Sequence, residues 1–215
     1  QDKGGYLMEF YSAVYARRTI RDFTDEPFEP EVLRRILAAG LRAPSNDHLR
    51  KWEFVVVTDR ALIDQLLKKI PKSVSEKRLD FILNSMRLKN EEQKKMYQKA
   101  IPLQRKMLST SGCLVLPLFY QKSDLLAPKN INALNGFASI WCCIENILLA
   151  CAAEDLGCAL RIPMGDEVAH ATEVLSLPKG YTLPCFLAIG HPADAAPLPQ
   201  QLPFDLESKL HFNQW

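Results

Sequence analysis

The run Phe137-Ala138-Ser139-Ile140-Trp141-Cys142-Cys143-Ile144-Glu145-Asn146-Ile147-Leu148-Leu149-Ala150-Cys151 decides the architecture. Phe137, Trp141, Ile144, Leu148 and Cys151 fall on one helical face at spacings of 4, 3, 4 and 3. Ile140, Cys143, Ile147 and Ala150 make the other side apolar as well. A helix apolar on both sides is buried all round, either in a large core or at a subunit interface. Glu145 and Asn146 break the stretch, so no membrane span is expected, and Gly157 is expected to end the helix.

Strand signals lie outward from this helix. Cys113 to Tyr120 is an apolar strand whose Pro117 argues for an edge or a bulge. Phe54 to Thr58 reads as a buried strand and Thr182 to Ile189 as a third. Short helices are expected over 6–16 and 166–176, and an amphipathic one over 61–70 that ends at Pro71. Pro30 opens another, with Val32, Leu33, Ile36, Leu37 and Gly40 at helical spacing, and Ala43-Pro44 stops it. Residues 72–108 are helix-compatible and highly charged, and 160–165 form a loop. From Pro192 the chain is an extended, Pro-rich arm suited to wrapping a partner subunit, and Ser208 to Phe212 alternates like a last short strand.

With 215 residues, 47% hydrophobic and 24% charged, and only nine glycines, the chain is neither collagen-like, low-complexity nor disordered. One large domain, or one domain with an appendage, is expected. The net charge of +2 gives no global push toward nucleic acid or membrane, but it hides a division. Residues 60–108 carry 13 basic and 5 acidic side chains, whereas 109–215 carry 5 and 10. This basic block is either a solvated helix surface or an attractor for NAD(P)H phosphates or an acidic substrate. Only Phe81 and Tyr97 are there to stack bases, so nucleic acid is not the expected partner.

The six cysteines form no Cys-x-x-Cys pair and the four histidines are scattered, so no metal is expected and the thiols read as buried and reduced. Gln1 to Phe10 has no long apolar run, and Met8-Glu9-Phe10 has the look of a natural start. The expected compartment is the cytoplasm.

Candidate binding residues cluster in four places. Arg17, Arg18, Thr19 and Arg21 make a phosphate grip or, alternatively, an exposed basic turn. Ala43-Pro44-Ser45-Asn46-Asp47-His48 suits a flat polar ligand, or simply stops a helix. Leu160-Arg161-Ile162-Pro163-Met164-Gly165 is an apolar loop able to pack on a ring system, and the Pro-rich arm is the fourth.

In this order, the blocks resemble the nitroreductase-like flavoprotein family. The matching stretches are Ala16 to Pro27, Ala43-Pro44-Ser45 with Trp52 and Phe54-Val55-Val56-Val57, Glu145 to Ala150 before Leu156-Gly157, and Ala188 to Pro192 followed by Leu202-Pro203. They span residues 9 to about 212, with 72–108 unmatched. The resemblance implies an α+β fold over 1–215. It has a central, mostly antiparallel sheet flanked by helices, a variable helical cover over about 72–108 and an extended dimer arm over about 192–215. A C-terminal strand is exchanged in a homodimer. It also implies FMN as cofactor and NADH or NADPH as reductant. The reaction is then the ping-pong reduction of a small acceptor such as a nitroaromatic or quinone, with no catalytic side chain required.

By the same resemblance, Arg17, Arg18 and Thr19 bind the phosphate end of FMN and Arg21 lies near the pyrimidine edge of the flavin. Pro44, Ser45, Asn46 and His48 come from the other subunit, and Leu160, Arg161, Ile162 and Pro163 cover the N5 side. The chain departs from the family at His48, Arg50 and Lys51, and Gln200 and Gln201 stand where cations usually assist the phosphate. Either the N-terminal arginines hold the anion alone, or Arg161 or Arg50 helps. The implied alternatives are a flavin-binding protein without efficient turnover and a specialised reductase or dehalogenase. Glu91, Glu92, Tyr97 and Lys99 do not fall at the dehalogenase branch's spacing.

Overall fold

The computed structural model describes residues 9–215; the start read at Met8 and the first residues of the helix expected over 6–16 lie outside them. Helix α1 (Phe10–Ala16) opens where the Glu9 carboxylate accepts the Tyr11 N–H at 3.0 Å. α2 (Pro30–Leu41) has proline at its first position, where the missing N–H costs nothing. Then come β1 (Trp52–Val57), α3 (Arg60–Leu66), and the cover helices α4 (Glu76–Ser85), α5 (Glu91–Ala100) and α6 (Gln104–Thr110). The side chains of Asp59, Ser75 and Asn90 cap α3, α4 and α5. β2 (Cys113–Tyr120), α7 (Asn135–Ala153), β3 (Gly157–Arg161), α8 (Glu167–Val174), β4 (Tyr181–Thr182) and β5 (Phe186–Gly190) complete the order.

The strands form one antiparallel sheet in the order β1-β2-β5-β3, with β4 beside the end of β2. Successive strand side chains point to opposite faces, and both faces are covered. Val115, Phe119, Leu187 and Ile189 join Ile36 of α2 and Ile140, Ile144 and Ile147 of α7 in one core. Leu114, Leu116, Phe186 and Ala188 join Ile63 of α3 and Met107 and Leu108 of α6 in the other. β2 and β5 therefore read as unbroken apolar runs. Gly40 lets α2 and α7 meet closely, since a Cβ there would stand 2.7 Å from Ile147 Cγ1.

Pro117 resolves in an unexpected way. β2 is central, yet β5 pairs only Cys113–Val115 and β4 only Phe119–Tyr120. At Pro117 the one paired neighbour is Phe54 of β1, so the proline occupies a gap equivalent to a local edge.

Four expectations are corrected. β1 is an edge strand with Glu53 and Val56 exposed, not a buried one, because it has a neighbour on one side only. α7 ends at Ala153, and Gly157 instead begins β3, whose Leu160 and Arg161 were expected in a loop. The third strand is divided into β4 and β5 by Leu183-Pro184-Cys185. Ser208 to Phe212 is no strand in the single chain, where no neighbour offers a ladder, and a 3-10 turn occupies Glu207–Lys209.

α7 is buried along Ile140, Cys143, Ile144, Ile147 and Cys151, while Trp141 and Leu148 are half-buried and Cys142 and Glu145 exposed. The helical stretch Ile131–Ala153 has the length and composition to cross a membrane, but it packs on α2 and the sheet.

Five cysteines are buried and Cys142 is exposed, all of them free thiols. Burial pushes the Cys113 and Cys143 thiols up to about 12 and moves Cys185 in the same direction. The Cys151 thiol is raised by its hydrogen bond with Cys158 and then by burial. Alkylation needs the thiolate. Mass spectrometry after iodoacetamide treatment of the folded protein at pH 8 is expected to show at most one adduct per chain; five adducts before unfolding would contradict this packing.

Candidate functional site

The segment after α1 is extended and zipped onto the sheet. Thr19 bridges Cys158 of β3, the Ile20 N–H donates to the Cys158 carbonyl at 3.1 Å, and the Thr24 N–H donates to the His191 carbonyl at 2.9 Å. Phe23 pairs with Pro192, and the Ala193 N–H donates to the Asp22 carbonyl at 3.1 Å. The approach requires a bare backbone at Gly157, where a Cβ would lie 2.9 Å from both Cβ and Cγ2 of Ile20. These contacts bring the basic cluster beside the C-terminal arm.

Two adjoining cavities result, of about 410 and 430 Å³, sharing Thr19, Met96 and Pro199–Leu202. Arg21 lines the first, and Arg17, Arg18 and Gln201 line the second. The three arginines are not equivalent. Arg18 Nη1 donates to the carbonyls of Tyr15 at 2.6 Å and Arg17 at 2.8 Å, closing the end of α1. Arg17 Nε stands 3.9 Å from Glu145 of α7. Arg21 Nε is buried without a hydrogen-bond partner among the described residues. Burial pulls the Arg21 guanidinium below its ordinary value, with Tyr97 acting in the opposite direction. A buried donor left unpaired is costly, so its position at a cavity wall fits an acceptor group on a ligand.

Sequence reasoning missed the wall opposite. Asn90, Glu92, Lys95, Met96 and Lys99 of the α5 region line the first cavity. Glu92, Lys95 and Lys99 recur at helical spacing, which was the available signal.

The remaining candidates sit elsewhere. Ser45 and Asn46 line a separate cleft, and Pro44 and His48 are exposed beside it. Within one chain, this segment does not share a cavity with the arginine cluster. Arg50 lines that separate cleft too, with its Nε donating to the Leu41 carbonyl at 3.1 Å.

After Leu160 and Arg161 in β3, Ile162 and Met164 are exposed in the following loop and Pro163 is half-buried. Arg161, one of the two helpers left open for the anion, is turned inward. Its guanidinium forms a buried two-pronged ion pair with Glu167, Nη2 to Oε1 at 2.8 Å. Glu167 Oε2 also accepts the Met164 N–H at 3.0 Å, so one carboxylate ties β3, the loop and α8 together.

The family model described as "Nitroreductase family" matches residues 14–191. Iodotyrosine deiodinase of Nematostella vectensis is 27% identical over 197 residues, covering 89% of this chain and 70% of that protein. The solved structure of an oxidized iodotyrosine deiodinase bound to FMN and 3-iodo-L-tyrosine superposes with a TM-score of 0.72 at 19% identity, covering 96% of this chain and all of that one (100%). NADPH:FMN oxidoreductase from Vibrio harveyi, solved with NAD+, superposes with a TM-score of 0.68 at 21% identity, covering 96% and 77% of the two chains.

Removing one member of a buried ion pair leaves the other charge uncompensated, at about 3–5 kcal/mol. Glu167→Ala is expected to lose that much in urea unfolding; a loss under about 1 kcal/mol, the scale of an exposed pair, would show the pair to be unimportant.

Proposed function

The chain belongs to the nitroreductase family, and from that premise we propose that it is an FMN-dependent oxidoreductase that accepts electrons from NADH or NADPH and passes them to a small acceptor such as a nitroaromatic or quinone. The observation that carries this reading is Arg21, whose buried Nε lacks a partner at the wall of a cavity. FMN brings carbonyl and ring-nitrogen acceptors at one end and a phosphate at the other, and this donor set suits both. When bound, FMN supplies the hydride chemistry itself.

The chain's residues bind and orient. Arg21 would donate to an acceptor at the flavin's pyrimidine edge, where its positive charge would favour negative charge. Arg17, Thr19 and Gln201 hold the phosphate end, while Arg18 keeps the end of α1 in place. Gln200 and Gln201 contribute amide donors without charge, so the phosphate's charge is met by Arg17. The backbone of Ile162 to Met164 is fixed by Arg161 and Glu167 and would help to cover a bound flavin and exclude water. No side chain is assigned as general acid; solvent would supply the proton. Ser45, Asn46 and His48 serve the neighbouring protomer's flavin in a homodimer. The half-covered Trp141 and Leu148 of α7 and the exposed Leu198 and Phe204 of the arm support that assembly. The cytoplasm is the proposed compartment.

A second reading, reductive dehalogenation of an aromatic substrate, is favoured by the long match to the Nematostella deiodinase. An acceptor panel that includes 3-iodotyrosine separates the two.

The purified protein is expected to be yellow, and anaerobic mixing with NADH or NADPH to bleach it. A colourless protein that takes up no added FMN would overturn the proposal. Bound flavin that neither coenzyme bleaches would instead indicate a binding protein without turnover. Arg21→Ala removes a charged hydrogen bond of about 1.5–3 kcal/mol. Titration should show FMN held roughly ten- to a hundredfold more weakly.

A further inference from the structure

A cleft of about 320 Å³ lies between the segment 45–52, the end of β2 and the start of α7, apart from the cavities around the arginine cluster. Arg50, Lys51 and Lys122 line it, and among the described residues no carboxylate does. None of these three cations is in an ion pair among the described residues. Tyr120 supplies the aromatic wall, and the Lys51 ammonium stands 5.5 Å from the centre of its ring. A recess that is cationic at its rim and aromatic along its side matches a flat ring bearing an anionic group.

The wall is also strained. Asp47, His48 and Arg50 adopt φ of 50°, 53° and 41°, the left-handed region that residues with a Cβ avoid. A lattice of hydrogen bonds imposes this shape. The Asn46 N–H donates to Ser139 Oγ at 3.0 Å, the Arg50 N–H to Ser45 Oγ at 3.2 Å, and Asn135 Nδ2 to Asn46 Oδ1 at 3.2 Å. The facing loop is pinned by Gln121, whose amide donates to Ser123 Oγ at 2.8 Å and to the Ala133 carbonyl at 3.1 Å. Backbone strain held by such a lattice is a mark of a binding site, because an unconstrained loop would relax.

We propose that this cleft binds the carboxylate of an aromatic acid, and that the preferred electron acceptor is therefore an aryl carboxylate rather than a neutral aromatic. Lys51 and Lys122 take the carboxylate, and the aromatic wall takes the ring. The proposal rests on the oxidoreductase reading, in which Ser45 and Asn46 border both this cleft and the flavin of the partner. With a nitroaryl acid, one NAD(P)H and one proton convert the nitro group to nitroso, releasing NAD(P)+ and water.

The test uses the FMN-loaded protein with 4-nitrobenzoate and its neutral counterpart 4-nitrobenzamide. The expected kcat/KM ratio favours the acid by at least about tenfold, the scale of one charge-assisted hydrogen bond. The Lys51→Gln, Lys122→Gln double variant is expected to lower that ratio about tenfold. A wild-type ratio near one, or a variant that leaves the ratio unchanged, overturns the proposal. Failure of the underlying reading looks different: neither coenzyme bleaches the flavin and neither compound is reduced. Calorimetry then decides the cleft alone. Acid bound more tightly than amide in the wild type, with the difference lost in the double variant, supports the site; equal binding overturns it.

Discussion

The geometry of the candidate site depends on the contact between Ile20 and the bare backbone of Gly157. Because no Cβ intervenes, the segment from Thr19 to Thr24 runs against the start of β3 and past the end of β5. That single closeness sets two things at once. It presents the arginines on one side and gives the arm, from Ala193 onward, a backbone edge to follow. Each backbone hydrogen bond contributes only about 1 kcal/mol net, so steric permission matters more here than the strength of any one bond.

The site's loops are held by two physically different devices. The loop after β3 is clamped by buried charge, with one carboxylate serving a guanidinium and a backbone N–H. The segment after α2 is instead bent against its own preferences by neutral hydrogen bonds from Ser45, Ser139 and Asn135. Buried ion pairs contribute modestly to stability relative to apolar replacements, yet breaking one is costly, so such a clamp favours a single conformation. The neutral lattice is open to water and so easier to loosen.

Much of this was legible in the residues. Apolar periodicity located α7, Pro30 and Ala43-Pro44 bracketed α2, and three guanidiniums around one threonine marked the cavity that the arm closes. What escaped was information carried by neighbours distant in sequence. β3 is five residues long and begins with glycine, so its opening looked like a helix stop. Arg161 looked available for an anion because its partner, Glu167, meets it only when the chain turns through Gly165, a residue with φ of 55°. The lining face of α5 was hidden inside a segment whose charges read equally well as a solvated surface. Pro117 was read as an edge or a bulge, whereas β2 is a central strand in unbroken register with β1, and only the sheet order reveals how it tolerates the proline.

The three cover helices have a consequence that the net charge of +2 conceals. With 13 basic against 5 acidic side chains over residues 60–108, and an acidic excess from 109 onward, positive charge is concentrated in the segment that carries α3 to α6. Its field is felt before contact and fades within a Debye length, about 10 Å at 0.1 M salt. An anion approaching that segment would be attracted before any shape is matched. Capture rates should rise in dilute buffer even where equilibrium affinity hardly changes.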